Sequence, residues 1–226
     1  PVRQMLLELP PKGGLHRKPP RANLSAVALR DRSVFLGTDE GTVLDRLTLA
    51  KNDRLAGHVA FPLLELLALA DTSGEDDEID IEGLEVEGDR LWIVGSHSRT
   101  RGKPKDDPLA DLAVVKHNPN RHLLACMPLR ASPAGDHDLA PTGAARLPIG
   151  KKRGALVKAL RNDAHLKPFF RLPAKENGFD IEGIAVYGRR ILLGLRGPVL
   201  RGIAIVLEIE VAEDGEGLLK LKPLAP

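Results

Sequence analysis

The sequence predicts an all-β protein with one or two short helices, built as a β-propeller-like repeat of antiparallel blades, and three observations carry that expectation. The tetrapeptide Asp-Ile-Glu-Gly occurs at Asp80–Gly83 and again at Asp180–Gly183. Set in register with an offset of 100 residues, the two copies agree at seven of fourteen positions, Val86 with Val186, Gly88 with Gly188 and Arg90 with Arg190 among them. A third hairpin pattern fits the same mould with one residue fewer, Leu24, Val27, Leu29 and Gly37 taking the places of Ile81, Leu84, Val86 and Gly95. Units of strand, tight turn, strand and glycine bury their faces against one another in a radial array. A blade takes about 40 to 50 residues, so spacings near 57 and 100 read as about one and two blades. A β-sandwich and an irregular barrel are the competing architectures.

The elements follow in order. Val2 to Leu9 reads as a first strand, and the Pro-, Gly- and base-rich PPKGGLHRKPP after it as an exposed loop. Leu24 to Leu29 and Val34 to Gly37 flank a polar turn at Arg30 to Arg32, a hairpin pattern. FPLLELLALA, Phe61 to Ala70, suits a short helix or packed loop. In the first DIEG unit LEV, the turn EGD and LWIV repeat the hairpin. DLAVVKHNPNRHLLACMPL reads as a further hairpin turned at Asn118, Pro119 and Asn120. Ser132 to Gly150 reads as a loop, and Lys151 to His165 as an amphipathic helix with Leu156, Ala159, Leu160 and Ala164 on one face. The second DIEG unit runs into two strands about the turn EDGEG. Residues 1–226 form one domain in this reading.

Composition narrows the function classes. With 33 basic against 31 acidic residues, a formal charge of +2, there is no global field that demands nucleic acid or an acidic membrane surface. An aromatic share of 3% leaves the core to Leu, Ile, Val and Ala. The single cysteine, Cys126, lies in the apolar HLLACMPL and reads as a small buried hydrophobe. No run of apolar residues is long enough for a transmembrane helix, and a cytoplasmic location is expected, with a leader removed before Pro1 left open.

The twin DIEG segments, GSHS at Gly95–Ser98, NGFDIEG at Asn177–Gly183 and GLRGPVLRG at Gly194–Gly202 together resemble an uncharacterised bacterial family, a domain of unknown function (DUF3616). GTDEG at Gly37–Gly41 and RLTL at Arg46–Leu49 fit as well. The resemblance implies a propeller-like β fold, distantly similar to phytase-like and related bacterial propellers, and no activity. Relatives similar to this sequence continue past the equivalent of LLKLKPLAP with another strand-rich stretch, which leaves ring closure open.

Chemistry is expected at the DIEG acids. On an extended backbone residues i and i+2 share a face, so Asp80 with Glu82 and Asp180 with Glu182 each offer two carboxylates to one side. If the two strands line a common axis, the four converge, either to bind a hard cation such as Ca²⁺ or Mg²⁺ or to raise one another's pKa for acid–base work. In the structural reading the same acids accept backbone amides or pair with Arg90, Arg190 or a neighbouring loop. His97 and Arg196 join the candidate ligand site, with Arg99, Arg101, Lys103, Lys105 and Arg201 in the loops beyond, a set that suits a small anionic ligand. The enzyme version is a metal-assisted phosphoester or ester hydrolase, and the interaction version a scaffold whose loops hold a protein partner. His16, His58, His117, His122, His137 and His165 are scattered singly and read as surface or capping residues.

Overall fold

Among the described residues three mainly antiparallel sheets follow one another along the chain, and the first hairpin strand of each lies against that of the next. In the computed structural model, which describes residues 2–11, 14–16, 18–70, 78–102 and 104–223, the first sheet holds β1 (Leu6–Leu7), β2 (Leu24–Arg30), β3 (Ser33–Thr38), β4 (Val43–Leu49) and β5 (Arg54–Pro62) in the order β1-β5-β4-β3-β2. The second begins with the hairpin β6 (Ile81–Glu87) and β7 (Arg90–Gly95). After a separate ribbon of β8 (Thr100–Arg101) and β9 (Val115–Lys116), it continues with β10 (Leu124–Ala131), β11 (His137–Leu139) and β12 (Ala145–Arg146). The third runs β13 (Asp180–Tyr187), β14 (Arg190–Gly197), β15 (Val206–Glu213) and β16 (Leu219–Lys222) in simple succession. The protein is mostly β and propeller-like, with three short α-helices among the described residues, α1 (Leu63–Leu66), α2 (Pro108–Ala113) and α3 (Ala155–Ala159). None of the described helices is long and apolar enough to cross a membrane. Lys12, Gly13 and Arg17 of the first loop and Lys103 lie outside the described residues.

Strand β7 shows how the sheets stack. Its side chains alternate between two cores, as period-2 geometry requires. Leu91 and Ile93 join Phe35, Leu44, Ile81 and Leu123 towards the first sheet. Trp92 and Val94 join Ile181, Ile191, Leu193 and the α3 residues Leu156 and Val157 towards the third. All four are buried, so the second sheet is covered on both faces. In β14 only alternate residues are buried, and Leu192 stands 44% exposed. Cys126 is buried in β10 as a free thiol.

Several elements differ from the sequence reading. The offset of 100 residues is one sheet step and not two, because β6 and β13 are neighbours and the additional length is spent on β8, β9, α2, α3 and the turns before Asp180. The first hairpin is not a residue short: Leu24 opposes Thr38 as Ile81 opposes Gly95, so the offset is 57 throughout and Gly37 takes the place of Val94. Residues 111–129 are no hairpin, since β9 pairs with β8 while β10 pairs with β7. Asn118 closes a 3₁₀ turn there by accepting from the Asn120 amide, which redirects the chain. The helix predicted over 151–165 is confined to Ala155–Ala159, because the Asp163 carboxylate accepts from the His165 and Leu166 amides and starts a new turn. The first strand shrinks to Leu6–Leu7, and residues 132–150 carry β11 and β12.

Candidate functional site

The DIEG acids are placed by a β-bulge that recurs in all three sheets. Pairing passes from Leu24 to Ala26, from Ile81 to Gly83 and from Ile181 to Gly183, so Ser25, Glu82 and Glu182 are each the residue left over. A bulge bends its strand and re-aims one side chain, here in the first strand of each sheet, where the sheets meet. Asp80 precedes its strand in the left-handed region, φ 57°, so the acid pair gathers through a bulge and a turn and not on a straight strand. Neighbouring sheets are tied at the same level: Ser25 Oγ donates to the Ile81 carbonyl, and the Ile181 amide donates to the Ser96 carbonyl at 2.9 Å.

Gly83 permits the close approach. A Cβ there would stand 2.8 Å from Ile184 Cγ2 and 2.9 Å from Val94 Cγ1. At Gly183, the equivalent residue, nothing comes within 4 Å.

Two guanidinium groups hold the acids. Arg196 pairs with Asp180 through Nη2 and with Glu182 Oε1 through Nη1 at 2.6 Å, and its own side chain is 51% exposed. Arg121, buried on the 3₁₀ turn after Asn118, places Nη1 2.6 Å from Asp80 Oδ2 and donates to Ser98 Oγ at 2.8 Å. Its Nε donates to Glu78 Oε1 at 3.1 Å. Of the partners open in the structural reading, Arg90 and Arg190 pair instead with Glu213 and Glu208, and a neighbouring loop supplies Arg121. Glu82 has neither a hydrogen bond nor an ion pair among the described residues, and Asp180 Oδ1, buried, accepts no hydrogen bond.

The electrostatics show that both acid pairs share one environment. Burial, then the charges of Asp80, Glu182 and Asp180, push Glu82 up to about 8 against the pull of Arg196. Burial raises Asp80 to about 6, opposed by Arg121, and Asp180 to about 6, opposed by Arg196 and reinforced by Glu182 and Asp80. Asp39 is also raised, by burial and by Glu40, and acts on Asp80. Six carboxyl groups, from Asp39, Glu78, Asp80, Glu82, Asp180 and Glu182, thus meet two guanidiniums.

His97 is not with them. Its ring turns away, donates from Nδ1 to the Gly95 carbonyl at 3.0 Å, and meets His122 edge-on at 5.4 Å between centroids. Burial lowers it to about 4, and no DIEG acid acts on it. It lines a small cleft with Arg99, His122 and Phe179, beside an open cavity of about 560 Å³ lined by Arg153, Arg161, Lys167 and Arg171. The structure therefore brings together Asp80, Glu82, Asp180, Glu182 and Arg196, and sets His97 on a separate basic face. Arg121 and Asp39 went unnoticed in the sequence, and Glu78 stands in the acidic run two residues before the first DIEG. A signal existed for Asp39: the offsets of 57 and 100 align Asp39 and Ser96, each just past the second strand of its hairpin, with Arg196 near the end of β14.

Residues 23–226 match the model of a family described as "Protein of unknown function (DUF3616)", and the chain belongs to that family. A search of curated proteins finds no match. Among solved structures, the PQQ-bound aldose sugar dehydrogenase of Streptomyces coelicolor is similar at a TM-score of 0.34 and 12% identity, over 83% of this chain and 43% of that one. Kluyveromyces lactis Hsv2 is similar at a TM-score of 0.26 and 10% identity, over 89% of this chain and 72% of that one. The chain spans less than half the length of the dehydrogenase, and likenesses this distant carry no activity to it.

Proposed function

We propose, for a member of a family whose function is unknown, that the axial carboxylates bind a hard divalent cation such as Ca²⁺ or Mg²⁺. One observation carries the reading: among the described residues Glu82 has no hydrogen bond or ion pair, yet it is acted on by Asp80, Asp180 and Glu182 together, against the pull of Arg196. Hard cations take several carboxylate oxygens at once, and a divalent ion relieves the repulsion that otherwise keeps a proton on Glu82. Asp180 Oδ1 adds a buried oxygen without a hydrogen bond. An anionic ligand fits this axis poorly, because it would meet six carboxyl groups. Arg121 and Arg196 hold Asp80, Asp180 and Glu182 in place and leave Glu82 to the ion.

The test is calorimetric titration of the whole chain with Ca²⁺, Mg²⁺ and Mn²⁺ near neutral pH, repeated in buffers of different ionisation enthalpy. One ion per chain is expected, with release approaching one proton from Glu82. The double variant Glu82→Gln, Glu182→Gln is expected to stay folded and to lose binding. No binding at millimolar ion, or equal binding in the folded double variant, overturns the proposal, and unfolding of that variant favours acids that serve only the fold.

A metal-assisted hydrolase is the second reading, favoured by a Glu82 that keeps its proton near neutral pH as a general acid does. Inactivity across a phosphoester and ester panel with each cation present rules it out.

A further inference from the structure

The first sheet carries a carboxylate where its packing asks for an apolar residue. Asp45 lies in the middle of β4, opposite Leu36 of β3, and is fully buried. Leu36 and its neighbours Val34, Leu47 and Leu55 form a small core completed by Met5, Leu7 and Leu9 of the amino-terminal segment. An isolated carboxylate in such surroundings costs several kcal/mol unless it is paired or bound to a metal, of order the desolvation of an ion.

Two histidines distant in sequence come to it. His16 Nε2 stands 2.9 Å and His58 Nε2 2.6 Å from the same oxygen, Asp45 Oδ1, with the rings 6.0 Å apart. The other oxygen, Oδ2, is buried and has no hydrogen-bond partner among the described residues. Two imidazole N–H groups on one oxygen therefore leave half of the carboxylate unsatisfied.

The backbone is shaped for this meeting. Arg46 opposes Val59 and Thr48 opposes Ala56, so Gly57 and His58 of β5 together face Leu47, a bulge with Gly57 in the left-handed region at φ 65°. Such a bulge re-aims one side chain, and here it turns His58 onto Asp45. His16 arrives from the segment that covers the same small core.

We infer that His16, Asp45 and His58 form a binding site for a borderline first-row divalent cation, with zinc the ion that fits the donors best. Two imidazole nitrogens and one carboxylate oxygen are a three-ligand zinc set that leaves a fourth position for water. The three donor atoms already lie within 4.8 Å of one another. Bonds of about 2.1 Å in a tetrahedron separate ligand atoms by about 3.3 Å, so the cluster opens by about half an ångström to admit the ion. The His58 side chain is 21% exposed, which gives the ion a way in. Bound there, it supplies the charge that Asp45 lacks and clamps the amino-terminal segment to the first sheet. His16 precedes residues 23–226, so the stretch matching the family holds only two of the three ligands.

The experiment is zinc titration of the chelator-treated whole chain, with Co²⁺ as a spectroscopic probe. One zinc per chain at micromolar concentration is expected, together with a Co²⁺ spectrum of low-coordinate type that zinc displaces. His16→Gln and His58→Gln, checked for native circular dichroism, are expected to lose about tenfold or more in affinity. They should also lose the zinc-dependent rise in Tm and the zinc-dependent protection of the amino-terminal segment from protease. The double variant at Glu82 and Glu182 keeps zinc binding, which separates this site from the axial one. Absence of stoichiometric zinc in the wild type overturns the inference, as does wild-type affinity in both folded histidine variants.

Discussion

Replacing Glu82 by Gln keeps the shape of the side chain and removes the carboxyl that the fold holds furthest from its ordinary state. Burial first, then Asp80, Glu182 and Asp180, raise it to about 8 from a usual 4.5. A carboxyl raised in this way binds its proton more tightly in the native than in the unfolded chain. It costs nothing below the unfolded value and destabilises the fold increasingly as pH rises to about 8. The full displacement sets a ceiling of about 4–5 kcal/mol. Because the side chain is only partly buried, solvent and ions screen that figure, and about 1–2 kcal/mol is expected to be measurable. For a chain of this length that is about 3–6 °C in Tm. The assay is urea and thermal unfolding of wild type and E82Q in chelator, at about pH 5 and about pH 9, on either side of the titration. Equal stability is expected at the lower pH and a more stable variant at the higher, with added Ca²⁺ closing the gap by stabilising only the wild type. A variant less stable than wild type by the same amount at both pH values would refute the reasoning, because Glu82 would then act as a pH-independent support.

Other expectations follow from the same geometry. Arg121→Gln leaves Asp80 and Glu78 without their counter-charge in a buried setting and should cost about 3–5 kcal/mol in urea unfolding; Arg196→Gln, at a half-exposed pair, should cost about 1 kcal/mol or less. Gly83→Ala drives a methyl against Ile184 and Val94 and should cost about 1–3 kcal/mol, whereas Gly183→Ala meets open space and should stay within about 0.5 kcal/mol.

What could be read in the sequence was whatever repeats in register. The hairpin patterns, the paired turns and the convergence of Asp80, Glu82, Asp180 and Glu182 all rest on the offset of 100 residues, which survives because every copy keeps the same bulge. What could not be read has no repeat to reveal it. Arg121 comes from a turn about forty residues beyond the acids it holds, and only the pairing of β10 with β7 returns it to them. His97 stands in the marked GSHS segment, but its left-handed backbone, φ 58°, turns the ring out of the acid cluster. His16 and His58 look unrelated until the bulge at Gly57 and the amino-terminal segment bring both to Asp45. Sequence spacing reports neighbours along a strand, and these contacts join segments far apart in the chain.

The first sheet also bears on whether the DIEG acids serve the fold. Its hairpin has the same register and the same bulge, and the Asp39 amide donates to the Asn23 carbonyl at 3.1 Å as the Ser96 amide does to that of Asp80 at 3.0 Å. Yet it carries Asn23 where the others carry Asp80 and Asp180, and Ser25 where they carry Glu82 and Glu182. The bulge thus forms without a glutamate, whereas the turn before it differs, with Asn23 at φ −137° and Asp80 at 57°. A bulge that Ser25 already supports gives no structural reason to set Glu82 and Glu182 beside Asp80 and Asp180, two of these acids raised to about 6 and one to about 8. Each of these displacements works against folding at neutral pH. Because a neutral side chain suffices for the bulge, the paired glutamine variants are expected to keep the fold and, on the cation reading proposed above, to lose the ion.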